Sequence, residues 1–162
     1  MKKILIILVF IVCLFFVSSC SFKIDGDGQV ARKNILKLLD YIERGNREQI
    51  IELFSPVKED KIENLYGQVD ELCEYYSGTH TSISSNGLGA YETLDYGKQV
   101  KYFEMFYDVH TSESDYHFSS LWYVCDDYNP QNVGIWSLVV EKYEGETPQT
   151  PIGEWNDGIT LL

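Results

Sequence analysis

Residues 62–85 read IENLYGQVDELCEYYSGTHTSISS, and the apolar period changes within them. Ile62, Leu65, Tyr66, Val69, Leu72, Cys73 and Tyr76 recur at spacings of three and four, which gather on one face of a helix. Gly78 ends that stripe, as a residue free to adopt positive φ commonly does after a last helical turn. Past Gly78 the period becomes two, the signature of strands. The stretch therefore predicts a helix over about 59–77 and marks where a helical half gives way to a sheet.

Upstream, Ile35, Leu38, Leu39 and Ile42 predict a helix over about 29–44 with Gly45 as its stop. Asn46 then caps a second helix, with Gln49 at the capping-box position, Ile50, Leu53 and Phe54 inward, and Ser55-Pro56 as the break. Downstream, 79–85 and 88–94 read as short strands around an Asn86-Gly87 hairpin. Longer strands follow at 99–110, 115–125 and 133–143, rich in aromatic and β-branched residues. The tail from Glu144 carries Pro148, Pro151 and Gly153 and is expected to be extended, with Trp155 and Ile159 suggesting that part of it docks. Helices first and an antiparallel meander afterwards imply an α+β fold, three N-terminal helices packed on one face of a curved antiparallel sheet.

That order, together with the helix–turn–helix Tyr41-Ile42-Glu43-Arg44-Gly45-Asn46-Arg47-Glu48-Gln49-Ile50-Ile51-Glu52-Leu53-Phe54-Ser55, resembles the nuclear transport factor 2-like (cystatin-like) superfamily over roughly 29–143. More narrowly it resembles a family of uncharacterised lipoproteins of Gram-positive bacteria. The resemblance implies a cone with a cavity between sheet and helices, used by enzymes, ligand binders or dimerising modules. Fold alone assigns none of these.

The N-terminus supplies an address. Lys2 and Lys3 precede an unbroken apolar run from Ile4 to Val17, and Ser18 and Ser19 lead to Cys20. At ~1.5 Å per residue the run spans about 21 Å, short of the ~30 Å hydrocarbon core, so it suits a processed signal better than a membrane span. Val17-Ser18-Ser19-Cys20 resembles the lipobox of bacterial lipoprotein signals, which implies that the Cys20 thiol is lipidated and heads the mature chain. The expected division is a signal over 1–19, a lipidated tether over 20–28, the domain over 29–143 and the tail over 144–162. The expected location is the outer face of the cell membrane, held by the lipid anchor.

The sequence carries 13 basic and 25 acidic residues, and loss of Lys2 and Lys3 leaves it more acidic still. This argues against nucleic acid and against a polybasic membrane patch. With Cys13 in the signal and Cys20 as anchor, Cys73 and Cys125 remain. An extracytoplasmic location permits a disulfide between them, but two cysteines are not a disulfide framework, and their settings suit two buried thiols better. No cofactor or metal motif is present. Asp108, His110, Asp115 and His117 could build a metal site or an acid/base pair, but they flank a solvent-facing turn. His80 stands alone.

Along 99–110 the more apolar set, Phe103, Met105, Tyr107 and Val109, is expected to face inward. It offers neither carboxylate nor histidine to an isomerase- or dehydratase-like enzyme working in the cavity, which is the alternative function. The 12 Tyr, 8 Phe and 3 Trp point instead to binding. Tyr66, Tyr76, Phe103, Tyr107, Trp122 and Trp136 are the candidate ligand-contacting rings, each also able to serve as core. The opposite strand face is apolar as well, with Val100, Tyr102 and Phe106 on one strand and Leu121 and Tyr123 on the next. It is expected to be covered, by a second protomer in a homodimer or by the C-terminal tail.

Overall fold

The computed structural model describes residues 26–59, 64–143 and 159–161. The signal, Cys20, most of the tether and residues 144–158 of the tail lie outside the described residues. Four helices precede a sheet among the described residues: α1 (Asp27–Glu43), α2 (Arg47–Ile51), α3 (Pro56–Glu59) and α4 (Leu65–Tyr75). The sheet is an antiparallel meander, β1 (His80–Asp95), β2 (Lys98–Thr111), β3 (Asp115–Asp126), β4 (Gly134–Tyr143) and β5 (Ile159–Leu161), in the order β1-β2-β3-β4-β5. The α+β reading holds. No described helix is long and apolar enough to cross a membrane.

α1 begins two residues earlier than its periodicity indicates and buries Ala31, Ile35, Leu38, Leu39 and Ile42. Gly45, at φ 61°, turns the chain, and the Asn46 side chain accepts from the Gln49 N–H to open α2. α2 is shorter than expected. Leu53 to Ser55 leave the helix to bond the start of β4: the Ile135 N–H donates to the Leu53 carbonyl (2.8 Å) and the Ser55 N–H to the Ile135 carbonyl (3.0 Å). Pro56 then opens a further helical turn, where its missing N–H costs nothing. α4 starts at Leu65 behind an Asn64 cap and buries Leu65, Val69 and Leu72.

The Asn86-Gly87 hairpin is a correction. Residues 80–95 form one strand, and Asn86 is the extra residue of a bulge where the register passes from Ser85↔Tyr107 to Gly87↔Phe106. The turn lies at Tyr96-Gly97, both at positive φ (48° and 78°), the two-residue loop that matches the twist of paired strands. β2 is long enough to pair with the whole of 80–95, so the local Asn-Gly signal resolves as a bulge. Further shifts at Lys101/Tyr102 and Leu121/Trp122 bend the sheet.

The inner face of the sheet carries Phe103, Met105, Tyr107 and Val109 from β2, as the alternation predicts, with Tyr116, Phe118 and Trp122 from β3 and Ile135, Leu138 and Val140 from β4. All are buried, and they share one cluster with the inward residues of α1, α2 and α4. At ~25 cal/mol per Å² this burial is the main favourable term of the fold.

Candidate functional site

Four of the six candidate rings share the core, and Tyr66 and Trp136 lie apart from them. Phe103, Tyr107 and Trp122 are buried in the core between sheet and helices. Tyr76 is buried too, stacked on Tyr116 at 4.8 Å, with its hydroxyl donating to Glu43 (3.1 Å). Tyr66 is 63 % exposed on α4 and lines a shallow basin of about 510 Å³ with Arg44, Gly45, Asn46, Arg47 and Glu48. Both arginines there are already paired, Arg44 with Asp40 and Arg47 with Asp70. Trp136 lies on the outer face of the sheet, away from the other five.

That outer face holds the arrangement that sequence reasoning missed. Tyr91 of β1, Tyr102 of β2, Tyr123 of β3 and Trp136 of β4 form a continuous row, with ring centroids at 4.8, 5.1 and 5.0 Å and interplanar angles of 15°, 30° and 38°. Lys58 closes it, its ammonium 5.1 Å from the Trp136 ring centroid. Register makes the row: Tyr91 opposes Tyr102 and Tyr102 opposes Tyr123. The Trp136 indole N–H is anchored on the Asn132 carbonyl (2.7 Å), and the Tyr91 hydroxyl donates to Glu104 (3.3 Å). Burial pushes the Tyr123 phenol up, with Tyr102 and Asp126 adding to the shift. Because each ring lies against the next, the row presents edges and hydroxyls rather than open ring faces.

A polar cluster adjoins it on the same face. Asp108 accepts from His117 Nδ1 (2.9 Å), from the Tyr143 hydroxyl (3.1 Å) and from the Asn86 amide. Burial pushes its carboxyl up, but the hydrogen bonds from His117, Asn86 and Tyr143 outweigh this and hold it below the ordinary carboxylate value. Glu141, which opposes His117 on β4, is pushed up by burial. Two residues further along the strands, His110 Nδ1 pairs with Asp115 at 2.8 Å. The four Asp and His residues singled out in the sequence thus form two cross-strand pairs. Among the described residues no group of three or more His, Cys, Asp and Glu side chains is placed to hold a metal ion.

His80 is not alone. Glu43 Oε1 accepts from its N–H (2.7 Å), contacts its Nδ1 (2.7 Å) and accepts from Tyr76, which pins the end of α1 to the start of β1. Burial, reinforced by the neighbouring Glu43 charge, raises the Tyr76 phenol far above its ordinary range. Cys73 and Cys125 are free thiols, both pushed up by burial.

Residues 37–144 match the profile of a family described as a domain of unknown function, DUF5104. No curated protein sequence matches the chain.

Proposed function

The chain belongs to the DUF5104 family, whose description assigns no activity, and we propose that it works as an extracytoplasmic, lipid-anchored interaction module. The lipobox-like Val17-Ser18-Ser19-Cys20 supports attachment through Cys20. The helix-then-meander order supports kinship with the nuclear transport factor 2-like superfamily. Where members of that superfamily use a cavity, the described residues of this chain fill the space between sheet and helices with Phe103, Met105, Tyr107, Phe118 and Trp122. A binder or enzyme working inside the fold is disfavoured on that ground.

The observation that carries the reading is the row Tyr91–Tyr102–Tyr123–Trp136 on the sheet face opposite the buried core, with Lys58 of α3 at its Trp136 end. A sugar platform needs open ring faces, and these lie against one another. Edges and hydroxyls suit a protein surface, where tyrosine supplies contact area at low entropic cost. The occupant is a second copy of the chain. Four strands at ~4.8 Å spacing and about 13 residues at ~3.3 Å give roughly 800 Å² of face, close to the ~800 Å² per partner of a standard stable interface. Two such faces pack as aligned sheets.

Two measurements test this. Intact mass of membrane-extracted protein is expected to show acylated Cys20, and Cys20→Ala to release the protein or stall its processing; freely secreted, unmodified protein ends the anchoring reading. Sedimentation of the mature protein in detergent is expected to show a dimer that Tyr102→Ala with Tyr123→Ala dissociates. A wild-type monomer at high concentration overturns the dimer.

A further inference from the structure

Among the described residues the large apolar side chains left exposed are Tyr66, Tyr91, Leu94, Tyr96, Tyr128 and Val133. All but Tyr66 sit toward one end of the sheet, where the β1–β2 turn meets the β3–β4 loop. The Tyr128 hydroxyl donates to the Asp95 carbonyl (3.2 Å), and the Lys98 ammonium stands 4.7 Å from the Tyr128 ring centroid, so the loop buttresses the turn. Residues 90–95 are exposed throughout, which makes 90–98 an arm beyond the core. At its tip Tyr96 is 99 % exposed and Leu94 71 %. The fold does not need a tyrosine there. It sits at φ 48°, in a two-residue turn that favours Asn, Asp or Gly at this position. A bulky side chain in that conformation is strained locally and gains no packing in return.

Gly26 and Asp27, where the described residues begin, lie at the same end. Asp27, the first residue of α1, is 2.5 Å from the Lys101 ammonium, which also pairs with Glu92 at 3.1 Å. From the level of Lys101 the tip extends about 15 Å further along the strands. The six residue steps from Cys20 to Gly26 reach at most ~20 Å. The arm therefore spans most of the distance that the tether allows.

We propose that the tip, Leu94 and Tyr96 buttressed by Tyr128, is a membrane-contacting site that seats in the interfacial layer of the bilayer holding Cys20. This rests on the anchoring reading above. Tyrosine partitions to that layer because one end of its ring is apolar and the other wet. The surroundings fix the kind of contact. Glu92, Asp95, Asp126 and Asp127 outnumber Lys98 and Lys101, so attraction to anionic lipid is not the drive. The contact is apolar, expected on zwitterionic bilayers and insensitive to salt.

The test uses mature lipoprotein reconstituted in phosphatidylcholine vesicles whose acyl chains are brominated near the headgroup. Tyr96→Trp adds a fluorophore at the tip, and Tyr66→Trp adds one at the opposite end of α1. Relative to wild type, the added emission is expected to fall at least twofold at position 96 and to stay unquenched at position 66, unchanged in high salt. Lipidated protein with no quenching at position 96, or with equal quenching at both positions, overturns the docking site while leaving the anchor standing. Intact mass on the same sample separates the other failure: an unmodified Cys20 overturns the anchor and the docking site with it.

Discussion

Asp108 and His117 oppose each other across β2 and β3 with carboxylate and Nδ1 2.9 Å apart, and both side chains are largely buried on the outer face of the sheet. The carboxylate serves three donors from three strands, so its removal leaves His117, Tyr143 and Asn86 without their acceptor. Asp108→Ala is expected to cost about 2–3 kcal/mol in denaturant unfolding at neutral pH. The folded carboxyl titrates below its unfolded value, so the unfolded state takes up protons first as pH falls. Its contribution is therefore full above the ordinary value of ~3.9 and is lost as pH drops through the folded value. The gap between wild type and Asp108→Ala should accordingly be constant from pH 7 to 5 and close at lower pH. A gap unchanged at pH 2 contradicts this account.

Gly134 holds the joint between helices and sheet. At φ 128° it occupies backbone space almost reserved for glycine, and a Cβ there would come within 2.6 Å of the Ser55 nitrogen and 2.8 Å of the Leu53 carbonyl. Neither can move without breaking the bonds that tie residues 53–55 to Ile135. Gly134→Ala is expected to cost about 3 kcal/mol or more, read as a loss of midpoint in thermal or denaturant unfolding. Gly45→Ala, at positive φ but with open space around it, should cost less.

The two positions also mark what the sequence discloses. The α1 stripe, the Asn46 cap and the inward set Phe103, Met105, Tyr107 and Val109 follow from local period and turn chemistry, which a single segment contains. The 80–95 segment does not, because Asn-Gly marks a turn or a bulge depending on what lies opposite. The Tyr96-Gly97 turn escapes notice because tyrosine is an unusual first residue for it. The aromatic row is further from view. Its four rings come from four strands and align through two register shifts: the one at Lys101/Tyr102 sets Tyr102 against Tyr123, and the one at Leu121/Trp122 leaves Trp136 as the extra residue of β4. The Glu43–His80 contact likewise joins residues 37 apart in sequence.

That contact has its own consequence. Tyr76 is buried beside the Glu43 carboxylate, so its phenol ionises well above the ordinary value of ~10. A folded pKa above the unfolded one stabilises the fold below the unfolded value, and this is lost as pH rises through the folded one. Spectrophotometric titration of the folded protein is expected to leave Tyr76 un-ionised until alkaline unfolding. Glu43→Gln, which removes the charge and keeps the acceptor, should bring the onset of Tyr76 ionisation to lower pH. An onset unmoved in Glu43→Gln would show that the carboxylate does not set it.

The two faces of β3 separate fold from assembly. Phe118 points inward, fully buried and in edge contact with Tyr76, whereas Tyr123 points outward between Tyr102 and Trp136. Phe118→Ala is expected to cost about 3–5 kcal/mol, the range for emptying a core aromatic site. Tyr123→Ala removes a ring that is not part of the buried core, so its unfolding midpoint should fall much less while the sedimenting species shifts from dimer to monomer. The expected two-fold axis runs along the strands, which sends both Leu94–Tyr96 tips the same way and lets both Cys20 anchors enter one membrane. Cross-linking between Tyr96→Cys protomers, set against protomers labelled in the Tyr66 basin, reads that polarity. Tips that fail to cross-link to each other, with each tip instead near its partner's Tyr66 basin, would mean that the faces meet antiparallel, an arrangement that a shared membrane does not allow.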